Sequence, residues 1–515
     1  MITNISYWLD ETVYKFPDKI GFVDSGRNAT FGQFQEEALA LASEICHYSC
    51  FKRPVAVFTE KSIDALVAFM AVAYSGNFYS PIDMDMPEPR IRKILDILQP
   101  DLIITKAKLK ERIQEIAPKI ECICMDCMDS KIDMNLINGN RNRCCDTDLL
   151  YVLFTSGSTG EPKGVTICHQ SVMDYIDWVE ETFQMNSTTV FGNQAPFYFD
   201  NSILDIYTTM KTGATLYLIP QELFAWPVRL LQYIRENDIN TIFWVPSAMI
   251  LVSKLKALKR VDLKNKLTKI LFAGEVMPNK HLNIWRKYLP EALYANLYGP
   301  TEITDVCSCY IVDREFGDEE PLPIGKAIHN TDVLVLNDKD ELVGVGETGE
   351  LCVRGTSLSK GYYNNLEKTK EVFVQNPLNH NYVELIYRTG DLVKYNEYGE
   401  IMYVTRKDFQ IKHMGHRIEL GEIETAVSSI GEIAWNCCLY DEDKNKIVLF
   451  IDQELDASYI KDKLRMLLPE YMIPNKVIYI ENMPLNANGK IDRKALEKMN
   501  VKKPNFELNK DLLQR

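Results

Sequence analysis

The sequence predicts an α/β fold in which parallel strands are covered by helices. Residues 30–150 alternate between helical spacing of apolar residues and short apolar runs bounded by turn residues. Such alternation is typical of parallel sheets packed between helices. The chain has 515 residues, with 46% hydrophobic and 25% charged residues. It is therefore long enough for two or more domains of ordinary globular composition.

The predicted elements can be assigned in chain order. Glu36 to Ile45 and Ser62 to Ala73 have helical spacing, and the short apolar run Val55 to Phe58 between them predicts a strand. The next predicted segments are a turn at Tyr79 to Asp83, a helix at Ile91 to Leu98, and strands at Leu102 to Thr105, Ile239 to Val245 and Lys269 to Ala273. The sequence shows no repeat of fixed period.

Composition and charge exclude several classes of protein. The formal net charge is −14, which argues against a broad nucleic-acid-binding surface. The basic stretch from Lys490 to Lys503 is interpreted as a solvated face. No apolar run approaches the length of about eighteen residues that a membrane span needs. The N-terminus lacks a basic segment followed by an apolar core, so no signal peptide is predicted and we expect a cytoplasmic protein. We also expect a monomer.

The thirteen cysteines are scattered, which fits reduced thiols. Cys122, Cys124 and Cys127 form one cluster, and thiolates at such spacing can bind zinc. The first two also lie in an alternating run that predicts a strand, and no second C-x-x-C pair accompanies them. The strand is the favoured interpretation, and any other role of the cluster stays open.

One Gly- and hydroxyl-rich stretch, Thr155 to Gly164 (TSGSTGEPKG), predicts a phosphate-binding loop. Apolar runs precede it, Leu149 to Phe154, and follow it, Val165 to Ile167, which favours a strand, hairpin loop and strand. Glycines let backbone N–H groups approach a ligand, and Lys163 adds a positive charge. This chemistry suits a polyphosphate, although the pattern is not a Walker A loop. Composition alone favours a solvated turn, so the phosphate-binding interpretation depends on the order of the residues.

The order of residues in this loop resembles the adenylate-forming superfamily. This superfamily includes acyl-CoA synthetases, luciferases and the adenylation domains of nonribosomal peptide synthetases. The other family motifs follow in order over roughly residues 10–500: FDNS at 199–202, NLYGPTE at 296–302, GELCVRG at 349–355, KGYY at 360–363, YRTGDL at 387–392, the junction at 403–424, LPEYMIP at 468–474 and NANGKIDR at 486–493.

The resemblance implies an ATP site with bound Mg²⁺. Tyr298 would stack on adenine, Asn296 would meet the edge of the base, and Asp391 would accept the ribose hydroxyls. Thr301 would reach the α-phosphate, and Glu302 would hold Mg²⁺, which prefers hard oxygen ligands. The full set of ATP-binding residues implied is Thr155, Ser156, Gly157, Ser158, Thr159, Gly160, Lys163, Asn296, Tyr298, Asp391, Tyr403 and Arg406.

The resemblance also implies an amino-acid pocket. Asp200 would hold the α-ammonium group, because the corresponding aspartate does so in amino-acid-activating members. From the residues alone, a helix start is the favoured interpretation, with Asp200 or Ser202 as the cap and Asp205 completing the box. The residues implied for the pocket are Asp200, Asn201, Leu204, Phe243, Leu271, Ala273, Leu297, Asp305 and Val306. Phe243 and the leucines suggest limited volume, and Asp305 could favour a polar or cationic side chain or cap a helix.

The implied architecture has two domains. Residues 1–405 would form a large adenylation core, and residues 408–515 a small, mobile α+β lid that carries the catalytic Lys490. Asp408 matches the hinge position. Thr405 stands where the family usually has glycine, which is a departure in the local backbone of the hinge.

The implied activity has two steps, with catalytic roles for Lys490, Thr301 and Glu302. ATP and an amino acid would give an aminoacyl adenylate and pyrophosphate, and a thiol would then take the aminoacyl group. Because no carrier segment follows Lys490 in this sequence, we expect the phosphopantetheine thiol to belong to a separate carrier protein. A stand-alone peptide-synthetase-type enzyme is favoured over a D-alanine–carrier-protein ligase, which tends to have cysteine at the position of Ala273. An acyl-CoA synthetase is the second alternative, although it should lack an acid at Asp200.

Overall fold

The computed structural model describes residues 2–48, 50–128, 131–157, 161–408, 410–441, 444–485 and 491–501. Four of the predicted site residues, Ser158, Thr159, Gly160 and Lys490, lie outside these ranges. By compactness the chain divides into two units. The first comprises Met1–Ser156 and Pro162–Arg417, and the second comprises Ile418–Arg515 and the short stretch Gly157–Glu161. This division falls downstream of Asp408, whose role as a hinge stays a prediction.

The described residues form twenty-five strands. These are β1 (Ile20–Val23), β2 (Asn28–Thr30), β3 (Pro54–Phe58), β4 (Phe78–Pro81), β5 (Leu102–Thr105), β6 (Glu121–Cys124), β7 (Leu149–Thr155), β8 (Lys163–Cys168), β9 (Val190–Asn193), β10 (Thr215–Leu218), β11 (Thr241–Trp244), β12 (Lys269–Phe272), β13 (Leu293–Tyr298), β14 (Ser308–Ile311), β15 (Lys326–Ala327), β16 (Thr331–Leu336), β17 (Thr348–Gly355), β18 (Phe373–Gln375), β19 (Leu385–Tyr395), β20 (Ile401–Arg406), β21 (Gln410–His413), β22 (His416–Glu419), β23 (Asn436–Asp441), β24 (Lys446–Ile451) and β25 (Lys476–Tyr479).

The same described ranges contain fifteen α-helices. These are α1 (Ser6–Lys15), α2 (Phe31–His47), α3 (Ile63–Tyr74), α4 (Glu88–Leu98), α5 (Ala107–Ile116), α6 (Met134–Arg141), α7 (His169–Phe183), α8 (Ser202–Thr212), α9 (Pro227–Glu236), α10 (Pro246–Lys254), α11 (Asn279–Tyr288), α12 (Leu366–Val372), α13 (Leu420–Ser428), α14 (Ala457–Arg465) and α15 (Arg493–Val501). None of these helices is long and apolar enough to cross a membrane.

Sheets of mixed and parallel strands build the first unit. Where the chain is described, one sheet has the order β6-β5-β3-β4-β7-β8, and a larger one has the order β15-β14-β13-β12-β11-β9-β10-β1-β2. Strands β9 to β13 of the larger sheet run parallel, whereas β7 and β8 are antiparallel. A third, antiparallel sheet has the order β16-β17-β19-β18, with β20 beside β19. The predicted α/β class, with mixed and parallel sheets covered by helices, is confirmed.

Most elements predicted from the apolar pattern are present, but one prediction is wrong. Tyr79 to Asp83 does not simply close a turn, because Phe78–Pro81 is strand β4, paired in parallel with β3. Pro81 occupies the last position of the strand, where its missing N–H does not interrupt the ladder. Helix α2 begins earlier than expected, at Phe31, because Thr30 and Gln33 form a reciprocal capping box.

Helix α8, which follows the predicted amine-binding motif, is buried along most of its length. All residues from Ser202 to Met210 are buried, although several of them are polar. Asp205 is one of these, and it accepts a hydrogen bond of 2.8 Å from the amide of Asn193 at the end of β9. A buried polar helix is held in place by such bonds as well as by apolar packing. The start of α8 is therefore a rigid platform for the residues before it.

The second unit has its own small core. Strands β23 and β24 are antiparallel, and β24 and β25 are parallel. Cys437, Leu439, Val448, Phe450 and Leu496 pack together in this core. Nη2 of Arg493, at the start of α15, donates to both carboxylate oxygens of Glu424 in α13, at 2.6 and 2.8 Å.

His169 gives the first unit a pH-dependent stability. Its Nδ1 accepts a hydrogen bond from the backbone N–H of Ile5 at 3.2 Å, and burial lowers the pKa of His169 from 6.5 to about 4. The neutral ring is required in the folded state, so its contribution is complete above pH 6.5 and is lost as the pH falls towards 4.

We therefore expect the unfolding temperature of the wild-type protein to fall more steeply between pH 6.5 and 4 than that of His169→Gln. A shift of this size corresponds to a loss of about 3 kcal/mol at the acid end. Circular dichroism melts across this range test the expectation, with His47→Gln, at an exposed histidine, as the control. Parallel pH profiles for wild type and His169→Gln would contradict it.

Candidate active site

The predicted pocket lies at the carboxyl ends of parallel strands in the larger sheet. Phe243 at the end of β11 is the register partner of Leu271 in β12, which in turn is opposite Ala295 in β13. Ligands of open α/β sheets bind in the crevice at this end of the strands. Leu204, Phe243, Leu271, Ala273, Leu297 and Val306 are all buried in one hydrophobic cluster. The structure thus places these six predicted residues in the same apolar core, and their role as pocket walls stays a prediction.

Asp200 lies just before α8 and does not cap it. Asn201 occupies the N-cap position of α8 without a capping hydrogen bond from its side chain. The Asp200 carboxylate instead accepts the backbone N–H of Asn201 at 3.0 Å and the hydroxyl of Thr301. Burial raises the pKa of Asp200, while Thr301 and the charge of Lys412 oppose that rise. The capping interpretation is therefore wrong, and Asp200 is a buried carboxylate held by Asn201 and Thr301.

Asp305 lies in the same region and is not a helix cap either. It is 2% exposed, and its Oδ2 accepts a hydrogen bond of 2.7 Å from the hydroxyl of Tyr175 in α7. Burial raises the pKa of Asp305 well above its usual value, and the charge of Asp200 adds to the rise. The two buried carboxylates are therefore close enough for the charge of one to affect the pKa of the other.

Glu302 is a buried carboxylate bound by two side chains. It lies in the short 3-10 helix Thr301–Ile303 and is fully buried. Tyr362 donates to its Oε1 at 2.8 Å, and the guanidinium of Arg417 pairs with its Oε2. Burial alone would raise the pKa of Glu302, but Arg417, Lys163 and the Tyr362 bond lower it to about 2. This carboxylate is ionised at every physiological pH.

The predicted nucleotide residues form a second polar group in the first unit. The hydroxyl of Tyr298 donates to Asp391, and Arg406 donates to the other carboxylate oxygen of Asp391 at 2.8 Å. Arg406 also binds Asp408 through two hydrogen bonds, at 2.6 and 2.8 Å. One guanidinium thus connects the predicted ribose-binding carboxylate to the predicted hinge residue.

The remaining described ATP residues have separate positions around this group. The side chain of Asn296 donates to the backbone carbonyl of Pro323 at 2.7 Å, and Tyr403 in β20 packs half-buried against the main core. Thr155 and Lys163 are register partners at the base of the loop, and the Lys163 ammonium lies 5.8 Å from the ring centre of Tyr362. Ser156 is buried and donates to the carbonyl of Arg417 at 2.7 Å. The loop base and Glu302 therefore share Tyr362 and Arg417 as neighbours.

Three residues at this site had no role in the sequence prediction. Arg417 and Tyr362 bind Glu302, and Lys412 lies with its ammonium 5.3 Å from the ring centre of Tyr298. Burial lowers the pKa of Lys412, whereas the carboxylates of Asp391 and Asp200 oppose this change. Lys412 and Arg417 lie in the junction segment 403–424. The basic residues of that segment were the sequence signal that could have identified them as site residues.

The residues around Glu302 fit Mg²⁺ only if phosphate oxygens and water supply most of its ligands. Among the described residues no group of three or more His, Cys, Asp or Glu side chains converges as a metal cage. Glu302 supplies one ionised oxygen ligand, and Mg²⁺ is commonly held by one or two carboxylates together with phosphate oxygens and water. Because Arg417 occupies Oε2 of Glu302, direct ligation would require this guanidinium to shift.

The chain belongs to a known enzyme family. Residues 9–363 match the family model described as AMP-binding enzyme. Membership implies ATP use and defines the chain as an adenylate-forming ligase, as the motifs predicted.

Individual relatives are of two kinds. The chain is 31% identical to a D-alanine–D-alanyl carrier protein ligase of Lacticaseibacillus rhamnosus, over 96% of this chain and 99% of that protein. It is 30% identical to tyrocidine synthase 1 of Brevibacillus parabrevis, over 96% of this chain and 45% of that protein. The solved structure of the Vibrio cholerae adenylation domain AlmE with glycyl-adenosine-5'-phosphate matches with a TM-score of 0.83 and 22% identity, over 97% of this chain and 98% of that one. The two kinds of relative are about equally similar, so the argument about substrate rests on the pocket.

Proposed function

We propose that this enzyme activates an amino acid with ATP and passes the aminoacyl group to the phosphopantetheine thiol of a separate carrier protein. The buried carboxylate of Asp200, hydrogen-bonded by Thr301, is the observation that carries the proposal. A carboxylate in such surroundings is costly unless a cation pairs with it. The α-ammonium of an amino acid is that cation, and the pocket walls then surround the side chain.

The first step joins two anions. The substrate carboxylate oxygen attacks the α-phosphorus of ATP, the bond to the β-phosphate oxygen breaks, and pyrophosphate leaves. The carboxylate is already ionised at neutral pH, so no general base is needed. The predicted contribution of Thr301, Lys163 and Lys490 is to offset the repulsion and to stabilise charge on the phosphoryl oxygens. When bound, Mg²⁺ at Glu302 would supply further positive charge to the phosphate oxygens.

The second step exchanges AMP for a thiol. The thiolate sulfur of the carrier attacks the acyl carbon, the bond to the phosphate oxygen breaks, and AMP leaves. We propose that rotation about Asp408 removes Lys490 and admits the thiol, as in other enzymes gated by a lid. Arg406 binds both Asp391 and Asp408. A ligand that displaces Arg406 from Asp391 would therefore also alter the contacts of Asp408, the proposed hinge residue.

Acyl-CoA synthetase activity is the alternative with the same ATP chemistry. Fatty and aryl acids bring no ammonium, so the buried Asp200 carboxylate would gain no cation from such a substrate. The Asp200 environment therefore favours amino-acid activation.

Pyrophosphate exchange with single amino acids tests the proposal, and Lys490 provides its sharpest variant. Lys490 lies outside the described residues, but Leu485 and Ile491, which flank its segment, form an antiparallel bridge, and Arg493 is fixed by Glu424. We expect Lys490→Ala to lose amino-acid-dependent exchange by about 100-fold or more, since a positive charge on the transition state is removed. Lys494→Ala, in the helix that follows, is the control, and circular dichroism checks the fold. Normal exchange by Lys490→Ala would remove this lysine from the mechanism.

A further inference from the structure

Two cysteine side chains meet at the end of strand β6. Cys124 is the last residue of this strand, and Cys127 is the last residue of the 3-10 helix Met125–Cys127 that follows. Their Sγ atoms lie 3.4 Å apart. The cysteine cluster of the sequence thus places two thiols in direct contact, and the activity proposed above has no role for either of them.

The backbone between the two cysteines suits a disulfide. In a 3-10 helix one turn takes three residues, each rising about 2.0 Å, and side chains three positions apart lie over one another. The resulting rise of about 6 Å is within the range of about 4.4–6.8 Å that separates Cα atoms joined by a disulfide. Rotation of the two side chains is therefore sufficient to bring the sulfur atoms together.

The segment that carries the thiols is fixed to the first unit at several points. Strand β6 pairs in parallel with β5 up to Cys124, which is the register partner of Thr105. The Asp126 carboxylate accepts a hydrogen bond of 2.6 Å from the backbone N–H of Ala107, at the start of α5. Met125 packs against the main core. The fold therefore holds the two thiols together before any oxidant arrives, and closing so short a loop costs little entropy.

The two thiols differ in their access to solvent. All thirteen cysteines of the chain lie in described residues, and of these only Cys127 and Cys145 are exposed. Cys124 is 7% exposed, and burial together with the Cys127 thiol raises the pKa of Cys124. A small oxidant in solution therefore reaches Cys127 first, and Cys124 is placed to react second.

A structural zinc site is a poorer fit to the same cysteines. Such sites usually take four protein ligands, whereas no group of three or more His, Cys, Asp or Glu side chains converges in the described part of the chain. The thiol of Cys122 donates to the backbone carbonyl of Ile120 at 3.6 Å. Two thiols in contact, one of them exposed, are typical of a redox pair instead.

We propose that Cys124 and Cys127 form a redox-active dithiol, which low-molecular-weight disulfides convert reversibly into an intramolecular disulfide. In the first step the Cys127 thiolate attacks one sulfur of the small disulfide, whose S–S bond breaks, and one small thiolate leaves. In the second step the Cys124 thiolate attacks Sγ of Cys127, and the other small thiolate leaves. The two cysteine protons end on the released thiols. The protein loses two electrons, and the small disulfide gains them.

The dithiol lies at the same edge of its sheet as the predicted phosphate loop, but well apart from it. Strands β3, β4, β5, β6 and β7 run parallel, so Cys124 and Thr155 both lie at the carboxyl edge. Three strands separate β6 from β7, which gives a lateral distance of about 19 Å at about 4.8 Å per strand. Sites so far apart are usually independent. Oxidation of the dithiol should therefore change pyrophosphate exchange by less than about twofold.

Glutathione disulfide and peptide mass spectrometry test the proposal on the full-length protein. Cys122, Cys124 and Cys127 share the tryptic peptide from Ile120 to Lys131. After oxidation and alkylation of free thiols, we expect this peptide to carry one disulfide and one alkylated cysteine, and dithiothreitol should restore three thiols. In Cys124→Ser the second thiol is missing, so Cys127 should keep one glutathionyl group. Cys127→Ser should lose the disulfide and react at least about tenfold more slowly than wild type.

Cys122→Ser is the matched control, because Cys122 lies in the same peptide and strand but its thiol donates to Ile120. It should form the disulfide at the wild-type rate. A disulfide that persists in Cys124→Ser would join Cys122 to Cys127 and overturn the assignment. The proposal also fails if the wild-type peptide stays reduced, or keeps a glutathionyl group on Cys127, while the exposed Cys145 is glutathionylated. Because these readouts do not depend on adenylation, they stand whether or not the proposed function does.

Discussion

Glu302→Gln is expected to lose adenylation almost completely. The change keeps the size of the side chain but removes the buried negative charge that Arg417, Lys163 and Tyr362 surround. With that charge gone, the phosphate side of the site loses its only proposed Mg²⁺ ligand, and exchange should fall by about 100- to 1,000-fold. Exchange measured over a range of Mg²⁺ concentrations should show a lower maximum and a higher Mg²⁺ requirement.

The same substitution leaves Arg417 buried without its partner, so stability and chemistry must be separated. Removing one member of a buried pair typically costs about 3–5 kcal/mol. The double variant Glu302→Gln with Arg417→Met removes both charges and should recover most of the lost unfolding temperature. It should not recover exchange. If it regains both, the function of Glu302 is to hold Arg417 and not to serve the phosphates.

Local pattern was sufficient to predict much of the fold. The apolar runs on either side of Thr155 to Gly164 are strands β7 and β8, and the alternating cysteine run is strand β6. These elements need only short-range information, namely periodicity and the residues that break it. Tyr79 to Asp83 was assigned wrongly because proline and aspartate suggest a turn, while the neighbouring strands that make it a strand are distant in sequence.

The charge pairs of the site could not be predicted in the same way. Glu302 and Arg417 are joined by folding across 115 positions, and Tyr175 and Asp305 across 130. Spacing along the chain carries no information about such partners. The family resemblance identified Glu302 and Asp305 as site residues. The pKa and the hydrogen bonds of each carboxylate, however, depend on which distant group lies next to it in the fold. For that reason Asp305 could not be distinguished from a helix cap before its contact with Tyr175 was known.

Asp200→Ala is expected to remove the preference for an amino acid over the same acid without its amine. The Asp200 carboxylate is buried, and the α-ammonium is its proposed partner. Truncating one partner of a buried, hydrogen-bonded charge pair costs about 2–5 kcal/mol, or about 30- to 5,000-fold. The loss should appear in kcat/KM for the amino acid and not for the deamino acid, since the latter never formed the pair.

The measurement compares exchange with alanine and propionate, or with the preferred substrate and its deamino analogue, in wild type and variant. Asp205→Asn is the matched control, because Asp205 is also a buried aspartate of the same segment but binds Asn193. Its ratio of amino acid to deamino acid should equal that of wild type. An unchanged ratio in Asp200→Ala would mean that the ammonium binds elsewhere, and the apolar pocket beside Asp200 would then no longer support amino-acid activation over the activation of simple carboxylic acids.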